Sequence, residues 1–148
     1  MSKKIPFETT LQVRDTCLCL HAQGAARALA RHFDKALRPV GLTNQQFSLL
    51  MALNRPERPS MGTVADLLAM DRTTLTAALK PLERRELVRS EPSATDQRAR
   101  LLFLTDAGKA TLSDALPIWQ KMHAAIENHL ADFDLKALRA ALVLVSNI

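Results

Sequence analysis

The sequence predicts a mainly α-helical fold that carries one small β-hairpin, on three observations. Alanine and leucine dominate and aromatic residues make up only 4% of the chain, a balance that favours helix over sheet. Apolar residues recur every three or four positions along most of the length, the period of a helix with one buried face. Two short β-prone runs, Leu87–Glu91 and Arg100–Leu104, flank the turn-rich segment PSATDQRA.

Taken in order, residues 1–8 read as a loose arm, and the stretch from about Thr9 to Arg38 reads as one helix. Its stripe is Leu11, Leu18, Ala22, Ala25, Leu29, Phe33 and Leu37, with Arg14, Arg27, Arg31 and Lys35 off it. Pro39 and Gly41 end it. Thr43–Gln46 (TNQQ) has the spacing of a capping box, in which hydroxyl and amide side chains satisfy each other's free backbone donors. The apolar helix FSLLMAL follows. Asn54–Pro59, with two Pro and two Arg, is a surface connection. Met61–Leu68 reads as a short helix burying Val64, Leu67 and Leu68. Ala69, Met70 and Asp71 turn the chain, and Asp71 is placed to cap the next helix, Arg72 to about Arg85. There Leu75, Ala78, Leu79 and Leu82 share one face, while Thr73, Thr76, Ala77, Lys80 and Arg84 share the other. Pro81 should bend this helix or thin its hydrogen bonds. After the hairpin, Thr105 can cap a helix reaching about Leu130, dented by Pro117. Asp134 can cap a last one with the stripe Leu135, Leu138, Leu142 and Val145.

Helix, tight turn, helix, strand, basic loop, strand: from Ser60 to Gly108 this order is a winged helix-turn-helix with further helices on both sides, and it implies the reading of duplex DNA. A reading helix needs polar side chains at its N-terminal end. Arg72, Thr73, Thr74 and Thr76 supply them, with Lys80 and Arg84 further along and Arg98 and Arg100 in the wing. Arg98 lies at the hairpin tip, where a narrow minor groove attracts a guanidinium. Asp96 reads as a strut that pairs with one of these arginines and holds the shape of the tip. The same polar residues would also suit a merely solvated helix; the excess of seven Lys or Arg over four Asp or Glu from Arg72 to Arg100 tips the reading toward DNA. A formal net charge of +5 over 148 residues agrees with a polyanionic partner. The shortage of rings argues against single strands, whose bases need stacking platforms.

Other function classes find little support. The chain has no Gly-rich phosphate loop, paired metal-ligand motif or nucleophile elbow, so an enzyme is not expected. His21, His32, His123 and His129 lack compact metal spacing, and neither a metal nor a cofactor is expected. Two Cys, Cys17 and Cys19, make no disulfide scaffold. With no apolar signal core, and no run near the ~18 apolar residues of a membrane span, a cytoplasmic protein without a membrane partner is expected.

The segments LTNQQFSLL, SMGTVADLLAMDRTTLTAALKPLERRELV and DQRARLLFLTDAG resemble the multiple-antibiotic-resistance regulator (MarR) family. The wing pattern Asp96, Arg98, Leu104, Thr105 and Gly108 is the most specific part, and the likeness runs from about Leu11 onward in helix order. The resemblance implies a single domain over 1–148. Within it, 43–104 would be the winged helix-turn-helix, and 9–38 and 106–148 the helices of a homodimer. It implies a transcription regulator, usually a repressor, bound to a pseudo-palindromic operator. Two residues depart from the pattern: Ala77 stands where many members have Arg, and Glu86 where the family usually has Gly.

The resemblance also bears on control. Members often bind small aromatic acids between the dimer helices and the reading head, which by analogy nominates His21, Arg27, Phe47 and Trp119. Cys19 resembles in position the reactive Cys of the family's organic-hydroperoxide sensors. Those sensors surround it with Tyr hydroxyls, whereas this chain has no Tyr and carries Gln23 and Phe33 instead. A reactive thiol needs its thiolate stabilised, so a small organic effector is the expected control, and peroxide sensing through Cys19 the alternative.

Overall fold

In a computed structural model, which describes residues 3–96 and 98–148, the helices form with local caps at the positions the sequence offers. They are α1 (Phe7–Thr16), α2 (Leu18–Leu37), α3 (Asn44–Leu53), α4 (Met61–Leu67), α5 (Arg72–Arg84), α6 (Asp106–His129) and α7 (Leu135–Ser146), with a 3-10 turn at Arg38–Val40. Strands β1 (Val88–Pro92) and β2 (Arg100–Leu104) pair antiparallel, Val88 opposite Leu104 and Pro92 opposite Arg100. Thr43 and Gln46 make the full capping box: the Gln46 amide N–H donates to the Thr43 hydroxyl at 3.2 Å, and the Thr43 N–H to Gln46 Oε1 at 3.1 Å. Asp71, Thr105 and Asp134 cap α5, α6 and α7 in the same way. Each such cap satisfies an amide with no partner inside the helix.

The core sits under the reading head. Phe33 and Leu37 of α2, Leu49 and Leu50 of α3, Val64 of α4, Leu75 and Leu82 of α5, Val88 and Leu102 of the hairpin and Ala115 of α6 are all buried in one cluster. No polar side chain is buried among the described residues. Pro59 and Ser60 add a short edge to the sheet: the Leu102 N–H donates to the Pro59 carbonyl at 2.9 Å, and Ser60 bridges Leu101. The connection before α4 is thereby stitched to the wing.

The structure corrects several expectations. The first helix begins at Phe7, inside the expected arm, and it is two helices. At Cys17 the backbone turns extended (φ −70°, ψ 111°). The Thr16 hydroxyl donates to the Gln12 carbonyl at 2.7 Å, a back-bond that bends helices. Cys17 Sγ then accepts the Leu20 N–H and caps α2. The break leaves the three-and-four spacing of apolar residues intact, so periodicity does not register it. Leu67 is 60% exposed. Val64 and Leu68, four apart, share the inward face of this short helix and turn Leu67 aside. Likewise only Phe33 and Leu37 of the first stripe are buried, and α7 buries none of its residues. β1 starts one residue later than expected.

Among the described residues, two other than glycine have positive φ, Ala69 at 51° and Glu86 at 57°. The second is the position where the family usually has Gly. A Cβ in the left-handed region costs about 1–2 kcal/mol, offset in part by the greater chain entropy of glycine. Glu86→Gly is therefore expected to raise the unfolding free energy by about 0.5–1 kcal/mol. Urea unfolding checks it: an unchanged or lower midpoint contradicts the strain.

Candidate nucleic-acid interface

Helix α5 presents its polar side as the sequence spacing requires. Arg72, Thr73, Thr74, Thr76, Ala77, Lys80 and Arg84 are exposed, while Leu75, Leu79 and Leu82 are buried. The N-terminus of α5 is held by Asp71, whose Oδ1 accepts the Thr74 N–H at 2.7 Å. That backbone hydrogen bond, joined by the Thr74 side chain, lowers the Asp71 pKa. The sign follows: a depressed folded pKa means the cap is intact at neutral pH and is lost only as pH falls through the lowered value. The Thr76 hydroxyl donates to the Arg72 carbonyl at 2.8 Å. At the far end of the head, Arg85 Nη1 donates to the Gly41 carbonyl at 2.6 Å, and Asp34 Oδ1 accepts the Asn44 N–H at 2.6 Å. These two bonds tie the end of α5 to the turn that follows α2, and the start of α3 to α2 itself, where sequence spacing carries no signal.

The first turn of α3 also approaches α5. Gln45, Gln46, Thr73, Thr74, Ala77, Ala78 and Pro81 line an open hollow of about 490 Å³. Gln45 is exposed on its rim and was not singled out from the sequence, although the TNQQ cap already placed it at a helix start.

In the wing, the Ser93 N–H donates to the Ala99 carbonyl at 2.9 Å, and the Ala99 N–H to the Asp96 carbonyl at 3.1 Å. Asp96 does brace the tip, but through the main chain: its Oδ1 accepts the Arg98 N–H at 3.0 Å. Among the described residues Asp96 forms no ion pair, which corrects the expected pairing with an arginine. A backbone amide two residues on is nearer than any flexible guanidinium and costs less entropy to hold. The Arg98 side chain is left exposed at the tip. Arg100 reaches across the hairpin, Nη2 donating to Ser90 Oγ at 2.7 Å. Arg58 lies 3.8 Å over the Phe103 ring and pairs with Glu91, clamping the wing base.

The nominated effector residues divide into two places. Phe47 and Trp119 stack with ring centroids 6.1 Å apart, and His123, not singled out from the sequence, stacks on Trp119 at 4.7 Å. Phe47 and Trp119 border an apolar hollow of about 450 Å³ with Met51, Leu67 and Leu116. His21 and Arg27 are elsewhere, on the exposed side of α2, and His21 Nδ1 donates to the Cys17 carbonyl at 2.7 Å. Cys19 is exposed, with Gln23 Nε2 donating to its Sγ at 3.3 Å. Phe33 is buried in the core. The described residues hold no cluster of three His, Cys, Asp or Glu suited to a metal, and no helix long and apolar enough to cross a membrane.

The MarR family model matches residues 40–99, which span α3 to the wing tip. The transcriptional regulator MosR of M. tuberculosis, solved in complex with DNA, is 34% identical, with a TM-score of 0.80 over 88% of this chain and 94% of that one. The chain belongs to the MarR family of DNA-binding transcriptional regulators. The repressor CouR of Rhodococcus jostii, solved on a DNA duplex, is 26% identical with a TM-score of 0.80, covering 97% of this chain and 99% of that one. The regulator TtmR of Methylorubrum extorquens is 34% identical over 108 residues, 72% of this chain; the chain thus spans 55% of TtmR's own length.

Proposed function

We propose that this MarR-family protein is a homodimeric repressor that binds a pseudo-palindromic operator through α5 and the wing and is released by a small organic effector. The observation that carries the DNA reading is the exposed side of α5. Arg72, Lys80 and Arg84 stand there outside every ion pair of the described residues, beside a wing whose tip exposes Arg98. Arg72 and Arg98 are assigned to base edges or grooves, with Thr73, Thr74 and Thr76 beside Arg72, and Lys80, Arg84 and Arg100 to phosphates. The DNA-bound relatives support binding of duplex DNA by this fold. Two reading heads in one dimer would match the two halves of the operator.

The apolar hollow at Phe47 and Trp119 supports the effector reading, although His21 and Arg27 do not line it. CouR has been solved with p-coumaroyl-CoA, at 21% identity a likeness of fold. An effector that favours one spacing of the heads by ~100-fold supplies about 2.7 kcal/mol, enough to release DNA.

The test is a gel shift on duplex DNA selected by the protein from a random pool. Arg98→Ala is expected to weaken binding by roughly 1–3 kcal/mol, the scale of one good groove contact. Arg72→Ala should change sequence preference more than nonspecific affinity. Affinity should fall steeply with salt, because Lys80, Arg84 and Arg100 displace counterions from phosphates. Equal operator affinity in wild type and in both variants removes the assignment of the reading head.

A further inference from the structure

We infer that this reading head recognises thymine through its 5-methyl group, and that the hollow over Ala77 is where that methyl is received. The inference rests on the proposed DNA-reading role and specifies what is read.

The Thr76 hydroxyl is donated to the Arg72 carbonyl. It keeps its lone pairs but cannot donate to a base edge without giving up that bond. The middle of the exposed side is Ala77, flanked by Ala78 and Pro81, and their side chains carry no donor or acceptor. These three form the apolar part of the hollow, and Thr73, Thr74 and the first turn of α3 form its rim. On that rim, Gln46 Oε1 is occupied by the Thr43 N–H. A guanine edge placed against Ala77, Ala78 and Pro81 would lose water from O6 and N7 and meet no donor on those three side chains, which is unfavourable. Among major-groove edges only thymine presents an apolar group, and alanine and threonine methyls are its usual partners.

Charge places the same surface on DNA. Arg72 at one end of the hollow and Lys80 and Arg84 beyond the other are exposed and outside the ion pairs of the described residues. They are positioned to hold the two phosphate chains that border the groove.

The test uses the intact protein and a duplex that it selects from a random pool. Each thymine in turn is replaced by deoxyuracil, which removes the methyl and leaves every hydrogen-bonding group. One position in each half-site is expected to weaken binding about fourfold, and the symmetric pair about tenfold to twentyfold, the effect of one buried methyl per head. Ala77→Gln, which fills the hollow from an exposed position, should bind the thymine and uracil duplexes equally. Uracil at every position without effect on wild type overturns the inference while operator binding, and so the DNA reading, stands. Uracil sensitivity that persists in Ala77→Gln overturns the assignment to this hollow. Failure to select any duplex overturns the DNA reading and this inference with it.

Discussion

Replacing Leu138 and Leu142 together by Glu is expected to leave the protein monomeric and to weaken operator binding at least a hundredfold. The reason lies in α7. It has twelve residues, most of them apolar, and the single chain buries none of them; Leu144 is 72% exposed and Val143 60%. At the other end, Ile5, Phe7, Val13 and Leu18 are also more than half exposed. A helix this short is marginal in water unless it packs, and an apolar surface of this extent marks an interface. We propose that the partner is a second copy of the chain, in a two-fold arrangement that covers both terminal regions at once. Two carboxylates at the centre of such an interface would have to be desolvated without partners. The variant should sediment as a monomer, with loss of the helical signal of its terminal helices. Each lone head then binds one half-site without the gain from linkage, for which a factor of 100 is about 2.7 kcal/mol. Light scattering that shows wild type as a stable folded monomer at micromolar concentration removes the proposed dimer.

Gly108→Ala is expected to cost about 3 kcal/mol or more, and to lower the melting temperature by about 10 °C. Helix propensity points the other way, since alanine is better than glycine inside a helix by about 1 kcal/mol. Contact decides. A Cβ at position 108 would stand 2.1 Å from the Leu87 carbonyl oxygen. That oxygen cannot move aside cheaply, because it accepts the Thr105 N–H at 3.1 Å. The Thr105 hydroxyl in turn donates to the Glu86 carbonyl at 2.6 Å and caps α6 by accepting the Gly108 N–H at 3.0 Å. Gly108 thus lets α6 approach the chain between α5 and the wing. Thermal and urea unfolding at one fixed protein concentration measure the effect. A variant within 0.5 kcal/mol of wild type would show that this approach is not tight.

What was legible in the sequence is what rests on near neighbours. Asp71, Thr105 and Asp134 cap their helices because hydroxyl or carboxylate and free amide lie three residues apart, a distance any helix start imposes. The two sides of α5 follow from the 3.6-residue period, and Leu75, Leu79 and Leu82 are buried while Lys80 and Arg84 are not. The hairpin follows from β-prone runs around polar turn residues, and its partners are near in sequence. The candidate site was legible to the same degree: the exposed side of α5 and the arginine at the wing tip, but not the hollow that Gln45 helps to line.

The rest was decided by parts of the chain meeting at a distance. Arg58 over Phe103, Arg85 on Gly41 and the closeness of Gly108 to Leu87 join residues whose separation in the chain has no period to reveal it. Phe47 and Trp119 were both nominated from the sequence, yet only packing of α3 on α6 stacks them and leaves His21 and Arg27 elsewhere. The break at Cys17 is local in its bonds, but a pattern of apolar spacing is blind to one extended residue between two helices in phase. The sequence by itself determined the elements, their caps and the polar side of the reading helix, because those depend on residues within one or two turns. Tertiary structure alone decided which residues share a surface, because a contact between distant segments exists only once the core has brought them together.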